Sequence, residues 1–514
     1  MTGRTVVLTG GTAGIGRALA QILRQMGNRV VVVGRRFDDH PDSIVADLCD
    51  FYASDFVESG LRELGVERWD LLIHNASLGW VGAFPEQSVK SVVDLLQVNV
   101  WSPIALTRRL LPWAAPGSRI VFISSPVAHW PNPDYAVYAA SKAALEAFAR
   151  ALRAERSSNL AIQVVRPGAT ATEMLSAVDA ARLGVTKERF ASPEATAARI
   201  ERLLDGRPRW SGTDQASNLA ATTSRWGMTR WRCRRPRLPW SKELFRPANE
   251  HSPRAMVTGA AGGIGRALAF RFAAEGFSIV GVDQSEEGLV DTARLIEAKG
   301  GKATSVVADL ADLASIDRLV ESLESIGPFA VVIHNAGVNR FGRFPDATLI
   351  EQQRVFAVNL LAPIVLTREL FARRLLVLGC RLGFVSSMSH FVGYPGSAVY
   401  AATKSGLAVL AECLFAVGRE YGFSSTTIFP GPTRTRQAFE NSPDNSREHR
   451  RTDPNVLADA IVRAMTKRRA MLIHGNRNRA AAELGRRFPS LTESMMRRAL
   501  LGKITPTSTR REAE

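Results

Sequence analysis

Residues 5–16 read Thr-Val-Val-Leu-Thr-Gly-Gly-Thr-Ala-Gly-Ile-Gly, and residues 255–265 read Ala-Met-Val-Thr-Gly-Ala-Ala-Gly-Gly-Ile-Gly. Each is a short apolar run that breaks into closely spaced glycines. The shared pattern, Thr-Gly-x-x-x-Gly-x-Gly, predicts a strand, a tight turn and the opening of a helix. In the first copy the turn is Gly10, Gly14, Ile15 and Gly16; in the second it is Gly259, Gly263, Ile264 and Gly265. Glycines let the backbone turn sharply and approach a pyrophosphate. The helix N-terminus adds N–H donors and the positive end of a dipole. One such turn is a weak signal, but two in the same setting define a repeat.

The repeat organises the chain. Residues 1–212 form one unit and residues 254–475 the other, with a basic segment at 213–253 and a basic extension at 476–514. Each unit alternates short strand patterns with helical ones, the signature of an α/β fold with parallel strands and crossover helices. Strands are expected at Thr5–Leu8, Arg29–Val33, Leu71–Ile73, Arg119–Ile123 and Ile162–Val165. Their counterparts are Ala255–Val257, Ser278–Val282, Ala330–Ile333, Gly383–Val385 and Ser425–Phe429. A last strand at Met471–His474 has only a weak counterpart near Arg207–Trp210. Long helices are expected near Ser88–Ala114 and Leu349–Leu375, kinked by Pro103 and Pro363. The units differ between the second and third strands: a helix fits at Glu286–Lys299, but Arg36–Asp47 is too short and contains Pro41. The segment 213–253 reads as an extension of the first unit plus a linker.

The end of the second strand reads the nucleotide. In half one Val31-Val32-Val33 runs into Gly34-Arg35-Arg36, where a guanidinium can pair with a 2′-phosphate. In half two the strand ends at Asp283, whose carboxylate accepts hydrogen bonds from a ribose diol and repels a 2′-phosphate. The expectation is NADP(H) in half one and NAD(H) in half two.

The chemistry is carried by Tyr-Ala-Ala-Ser-Lys at 138–142 and Tyr-Ala-Ala-Thr-Lys at 400–404. Four residues is about one helical turn, so Lys142 shares a face with Tyr138, and Lys404 with Tyr400. A phenol ordinarily ionises near pH 10. A neighbouring ammonium and a cationic nicotinamide favour phenolate, so the tyrosine is expected to exchange a proton near neutrality. Ser125 and Ser387 precede the two tyrosines by the same interval and can hydrogen-bond a substrate oxygen.

This set resembles the short-chain dehydrogenase/reductase family over nearly all of both halves. The resemblance implies two Rossmann-like, doubly wound parallel-sheet domains packed as a pseudo-dimer within one chain, with higher oligomers also open. The family's Asn-Ala-Gly segment matches Asn75-Ala76-Ser77 and Asn335-Ala336-Gly337, with Ser77 a departure. Its helix asparagine matches Asn99 and Asn359; its adenine-flanking Asp-Leu matches Asp47-Leu48 and Asp309-Leu310. Its Pro-Gly loop beside the nicotinamide matches Pro167-Gly168 with Thr172, and Pro430-Gly431 with Thr435. The implied catalytic sets are Asn99, Ser125, Tyr138, Lys142 and Asn359, Ser387, Tyr400, Lys404. The family pairs subunits through its two long helices; here the stripe Val92, Val93, Leu95, Leu96 would meet Val355, Phe356, Val358.

Composition bounds the rest. The chain has 514 residues, 46% of them hydrophobic, and a formal charge of +17. No unbroken apolar run is long enough to span a bilayer, and the first strand begins too early for a cleaved leader. Cys49, Cys233, Cys380 and Cys413 have no metal-ligand or disulfide spacing, which points to a reducing cytoplasm and no metal. Basic charge gathers at Arg225–Arg246, among Trp226, Trp231 and Trp240, and again from Arg477 to Arg511. Such segments suit a membrane surface or an acidic carrier better than nucleic acid, or their Arg stems simply cover apolar surface. His74 and His334 read as structural, while His129, Trp130, His390 and Phe391 lie where a substrate pocket would form.

The leading expectation is therefore interconversion of a small-molecule secondary alcohol and a ketone, with an acyl or lipid-like substrate admissible. Two alternatives stand beside it. One half could oxidise and the other re-reduce, giving net epimerisation, or one half could be a silent nucleotide-binding scaffold. The loop after Gly168 is apolar and the loop after Gly431 polar and charged, so the two pockets are expected to differ.

Overall fold

A computed structural model describes residues 2–36, 40–130, 132–155, 159–174, 190–205, 242–247, 253–442, 445–446, 448–500 and 502. In half one the elements are β1 Thr5–Thr9, α1 Gly14–Gln25, β2 Arg29–Gly34, β3 Ser43–Val45, α2 Ala53–Glu63, β4 Trp69–His74, α3 Val89–Leu96, α4 Ser102–Leu110, β5 Ala114–Ile123, α5 Ala136–Glu155, β6 Ala161–Val165 and α6 Pro193–Asp205. They form a parallel sheet of order β3-β2-β1-β4-β5-β6. Half two opens with β7 Phe245–Arg246, β8 Arg254–Thr258, α7 Gly263–Ala274, β9 Ser278–Asp283, α8 Glu286–Glu297, β10 Ala303–Val307, α9 Leu313–Ile326 and β11 Phe329–His334. It continues through α10 Leu349–Phe356, α11 Ala362–Ala372, β12 Leu376–Val385, α12 Ala398–Tyr421, β13 Ser424–Phe429, α13 Arg436–Glu440, α14 Pro454–Thr466, β14 Met471–Ile473, α15 Asn476–Arg487 and α16 Pro489–Leu500. Its sheet runs β10-β9-β8-β11-β12-β13-β14, with β7 beside β12. The chain order reverses between β1 and β4, and between β8 and β11. At such a switch point a crevice opens at the carboxyl ends of the strands.

Alternation along the strands assigns their faces. Val6 and Leu8 point to a cluster with α1 and α6, while Val7 points to the opposite core. Ala255 and Val257 repeat this against α7 and α14, with Met256 opposite. That opposite core is continuous through both halves: it joins Leu145 and Phe148 of α5 to Leu407 and Leu410 of α12.

The seam has pseudo-twofold symmetry. Arg108 donates to the Ala347 carbonyl (3.2 Å), and its counterpart Arg368 donates to the Gln87 carbonyl (2.8 Å). Such reciprocal contacts are the mark of an isologous interface. Phe148 meets Phe344 at 5.1 Å, and Trp101 meets Phe356 at 5.8 Å. The expected stripe is buried at Val92, Leu95, Leu96, Val355, Phe356 and Val358, while Val93 is only partly so. The closest approach lies between α5 and α12. A Cβ on Gly406 would stand 2.9 Å from the Ala140 carbonyl and 3.2 Å from the Ala144 Cβ. Helix propensity alone favours Ala over Gly by about 1 kcal/mol, but here backbone stands in the way. We expect Gly406→Val to lower stability by about 1–3 kcal/mol through overpacking, measured by thermal unfolding.

Two expectations need correction. The segment 213–253 is not only a linker: β7 pairs in parallel with Leu376 and Val377, and buried Phe245 meets Phe371 and Phe423 at 5.9 Å each. The long helices are each interrupted by a π turn, Gln97–Trp101 and Ala357–Leu361, and the first ends early, with β5 already starting at Ala114. By length and mean hydropathy, Leu349–Ala372 and Ala398–Tyr421 could cross a membrane. In each, 83% of the apolar window is buried inside the fold, so that apolarity serves packing. The weak strand near Arg207–Trp210, most of the Arg/Trp segment, and the end of the basic tail lie outside the described residues. Within the described tail, the Arg486 guanidinium lies 4.8 Å from the Phe391 ring.

Candidate active site

The glycine turns come first. Gly10 and Gly14 have φ of +67° and +52°, a left-handed backbone open to glycine. At Gly16 a Cβ would sit 2.1 Å from the Gly10 carbonyl oxygen, so only glycine closes this turn. Gly265 has the same relation to Gly259, at 1.9 Å. Asn75 pins the turn to the end of β4: its Nδ2 donates to the carbonyls of Thr9 and Gly10, both at 3.1 Å. Asn335 does the same with Thr258 at 3.0 Å and Gly259 at 3.4 Å. Thr172 and Thr435 close over the turns, with Cγ2 atoms 3.2 and 3.1 Å from where a Cβ on Gly14 or Gly263 would lie.

These features fit a dinucleotide. Ser88, Asp312, Thr348 and Asp453 cap their helices with side-chain acceptors, but α1 and α7 start at Ala13 and Gly262 with no side-chain cap. Their first N–H groups are thus left for an anionic ligand. Arg35 and Arg36 are exposed beyond the end of β2. At the end of β9, Asp283 is fixed by accepting from the N–H groups of Ala261 and Ser285, both at 3.1 Å. Leu48 and Leu310 are buried, and Ile15 and Ile264 pack half-buried against the core. Asp47 accepts from Cys49 N at 3.0 Å. Asp309 holds a bidentate pair with Arg354 at 3.1 and 3.2 Å, and Arg354 also reaches Gln284. Burial opposes ionisation of Asp309, but the Ala311 N–H and the Arg354 guanidinium hold its carboxyl below the usual range. Sequence reading missed Arg354, which sits in α10 with no motif around it. Pro167-Gly168 and Pro430-Gly431 follow β6 and β13; Gly431 has φ +72° and lies against Asn478 of α15.

The asparagine, serine, tyrosine and lysine of each predicted set converge beside the turns. Each π turn contains the asparagine, and its cause is in the sequence. Pro103 and Pro363 have no N–H to give to the carbonyl four residues back, which belongs to Asn99 or Asn359. Asn99 is buried; its side chain accepts from Leu78 N and donates to Leu78 O, both at 2.8 Å, and donates to Ser141 Oγ at 3.0 Å. Asn359 holds Val338 in the same way, with Thr403 in place of Ser141. Ser125 and Ser387 follow β5 and β12, and their hydroxyls act on the Tyr138 and Tyr400 phenols in the direction of ionisation. Lys142 Nζ lies 5.7 Å from the Tyr138 ring centre and donates to Ile123 O at 3.0 Å; Lys404 Nζ lies 5.8 Å from Tyr400 and donates to Val385 O at 3.0 Å.

In the protein alone burial dominates and raises both phenols above their ordinary value; serine hydroxyls offset this only in part. The same burial pushes both lysines down to about 8, with Glu146 opposing the fall at Lys142. The halves also differ behind the site. Glu146 accepts from Ser124, His129 and Arg166 in half one, whereas Ala408 and Phe429 fill the matching space in half two. His129 is thus a loop anchor. Trp130 is exposed, and Phe391 is buried against Phe429. His390 packs between Phe391 and Phe429, and burial lowers it to about 3. His74 and His334 are buried, stacked on Phe122 and Phe384 and bonded to Thr107 and Thr367, and burial lowers both to about 3.

A family model described as short chain dehydrogenase matches residues 4–183 and again 253–446. The chain belongs to the short-chain dehydrogenase family. It is an NAD(P)-dependent oxidoreductase built from two short-chain dehydrogenase domains. An uncharacterized short-chain type dehydrogenase/reductase of Sinorhizobium fredii, y4vI, is 32% identical over 466 residues, covering 84% of this chain and 82% of that protein. The ketoacyl reductase HetN of a Nostoc species is 29% identical over 256 residues, 49% of this chain and 85% of that protein. A short chain dehydrogenase from Burkholderia cenocepacia, solved in complex with NADP, is 28% identical with a TM-score of 0.38, covering 41% of this chain and 90% of that one.

Proposed function

We propose that both short-chain dehydrogenase domains turn over, each interconverting a secondary alcohol and a ketone, the first with NADP(H) and the second with NAD(H). The carrying observation is that both sites are assembled alike: Asn99 and Asn359 lie in π turns and hold Leu78 and Val338, and Lys142 and Lys404 lie beneath the Tyr138 and Tyr400 rings. The uncapped helices and glycine turns would hold the pyrophosphate, Arg35 the 2′-phosphate, and Asp283 the ribose diol. When bound, the nicotinamide supplies or accepts hydride at the carbinol carbon. Tyr138 or Tyr400 passes the proton to or from the substrate oxygen, and Ser125 or Ser387 orients that oxygen. The lysine favours phenolate, and the asparagine fixes the loop at Leu78 or Val338 beside it. HetN bears the name of a ketoacyl reductase, which is in keeping with carbonyl chemistry.

The contrast of Arg35 with Asp283 also favours a second reading, in which one half oxidises and the other re-reduces the same carbon. Loss of a carbinol deuterium during turnover would support it; full retention would count against it. A small-molecule substrate, a cytoplasmic setting, and contact of the basic segments with a membrane or acidic carrier belong to the same proposal.

Equilibrium titration of the whole chain with NADPH and with NADH, followed by nicotinamide fluorescence, tests the cofactor split. Two sites of opposite preference are expected; a single site overturns the two-site reading. Removing a charged hydrogen-bonding partner costs about 1.5–3 kcal/mol. Arg35→Ala should therefore weaken NADPH binding roughly 10- to 100-fold and leave NADH binding unchanged.

A further inference from the structure

The second nucleotide crevice is tied down at one end in a way that the first is not. Val307 of β10 pairs with Asp283 of β9, and the Ala308 N–H donates to the Asp283 carbonyl at 2.9 Å. Asp309 therefore stands beside the end of β9, close to Gln284. A dinucleotide lies across the carboxyl ends of the strands. On that path, a pyrophosphate at the start of α7 and a ribose at Asp283 put the base at Gln284, Asp309 and Leu310. Arg354 reaches this place from α10. Its guanidinium donates to both carboxylate oxygens of Asp309, at 3.1 and 3.2 Å, and to Gln284 Oε1 at 2.5 Å. One side chain thus joins the ends of two strands to a helix.

Half one shows no such clasp among the described residues. The residue that matches Arg354, five before the asparagine, is Asp94. It accepts from Lys90 at 2.6 Å, one turn back on its own helix. Asp47, the counterpart of Asp309, accepts from the nearby Cys49 N–H. At the strand end Arg35 stands where half two has Gln284.

The clasp acts on order more than on stability. Arg354 and Asp309 side chains are 40% and 42% exposed, so water screens the pair. A guanidinium fork nevertheless fixes a carboxylate in one plane, which an ammonium cannot do. Side chains already fixed before a ligand arrives do not have to be ordered by it, and the ligand binds more tightly for that.

We propose that Arg354 is a positioning residue of the second nucleotide site, holding Gln284 and Asp309 ready for the adenosine of NADH. The inference rests on reading half two as a nicotinamide dinucleotide site, but its test does not need turnover.

The test is titration of the whole chain and its variants with NADH and with reduced nicotinamide mononucleotide, followed by nicotinamide fluorescence. The mononucleotide has the same reporter ring and no adenosine. ADP-ribose, which has the adenosine and no nicotinamide, is measured by its displacement of NADH. Arg354→Ala should weaken NADH and ADP-ribose by the same factor, roughly tenfold, and leave the mononucleotide and NADPH where they were. Arg354→Lys keeps the charge but not the fork, and should stay close to the alanine variant. Unchanged NADH or ADP-ribose binding in Arg354→Ala overturns the proposal. So does full recovery with lysine, which would show that charge alone acts. An equal loss of NADPH or mononucleotide binding would mark general damage and overturn it too. Failure of the unaltered chain to bind NADH would remove the nucleotide reading of half two itself, whereas a variant that binds NADH like the unaltered chain removes only the role of Arg354.

Discussion

Replacing both Tyr138 and Tyr400 with phenylalanine is expected to lower turnover about 10²–10⁴-fold, the usual worth of a positioned acid–base group. The change is small in structural terms. A phenyl ring fills the same space beside Lys142 or Lys404, and what is lost is the phenol oxygen alone. Asn99 and Asn359 keep their grip on Leu78 and Val338, so the loops should stay where they are. The single variants separate the halves. With a panel of secondary alcohols assayed with NADP and with NAD, Tyr138→Phe should remove the NADP-linked activity and Tyr400→Phe the NAD-linked one. A double variant that retains full rate would sink the assignment of both sites.

The second large effect concerns Glu155, at the end of α5. Its carboxylate crosses the seam and accepts from Phe344 N at 2.8 Å and Gly396 N at 2.6 Å. These two N–H groups belong to the loops before α10 and α12, which flank Tyr400. Burial pushes Glu155 up to about 7 from an ordinary 4.5, against the pull of the two N–H groups and Arg343, with Asp346 adding to the rise. The fold thus binds this proton more tightly than the unfolded chain does. The stability this supplies is complete below about pH 4.5 and is lost as pH rises through about 7. At 1.36 kcal/mol per unit the loss is on the order of 3 kcal/mol. Calorimetric Tm should fall over that window, and Glu155→Gln, which cannot ionise, should flatten the fall. An identical slope in the variant would show that other groups carry the pH dependence.

What the sequence revealed and what it hid follow from the range of the interactions. The glycine turns and the Tyr-x-x-x-Lys pairs are set by spacing within a few residues, and each lies where spacing placed it, at the start of α1 and α7 and on α5 and α12. The π turns were half legible: Pro103 and Pro363 announced an interruption, but only the backbone shows it centred on the asparagines. β7 was hidden because two residues carry no periodicity, and its pairing with β12 is set more than a hundred positions away. Glu155 was hidden for a related reason. In Ala-Glu-Arg at a helix end it reads as an ordinary solvated charge, yet its partners lie 189 and 241 residues along the chain. The burial that raises both phenols in the protein alone was hidden too, because spacing shows the lysine beside each tyrosine but not what surrounds both.

Glu155 has no twin. The position related to it by the repeat is Val417, whose side chain offers no acceptor to the matching loops of half one. In a dimer of identical chains any substitution is imposed on both sides of the axis at once. A single chain is free of that constraint, and its seam is a mating surface with a distinct plug and socket. A pairing of two first halves would set Glu155 against the wrong loops, and a pairing of two second halves would lack it. Every molecule therefore carries one domain of each kind, in a ratio that expression level cannot change.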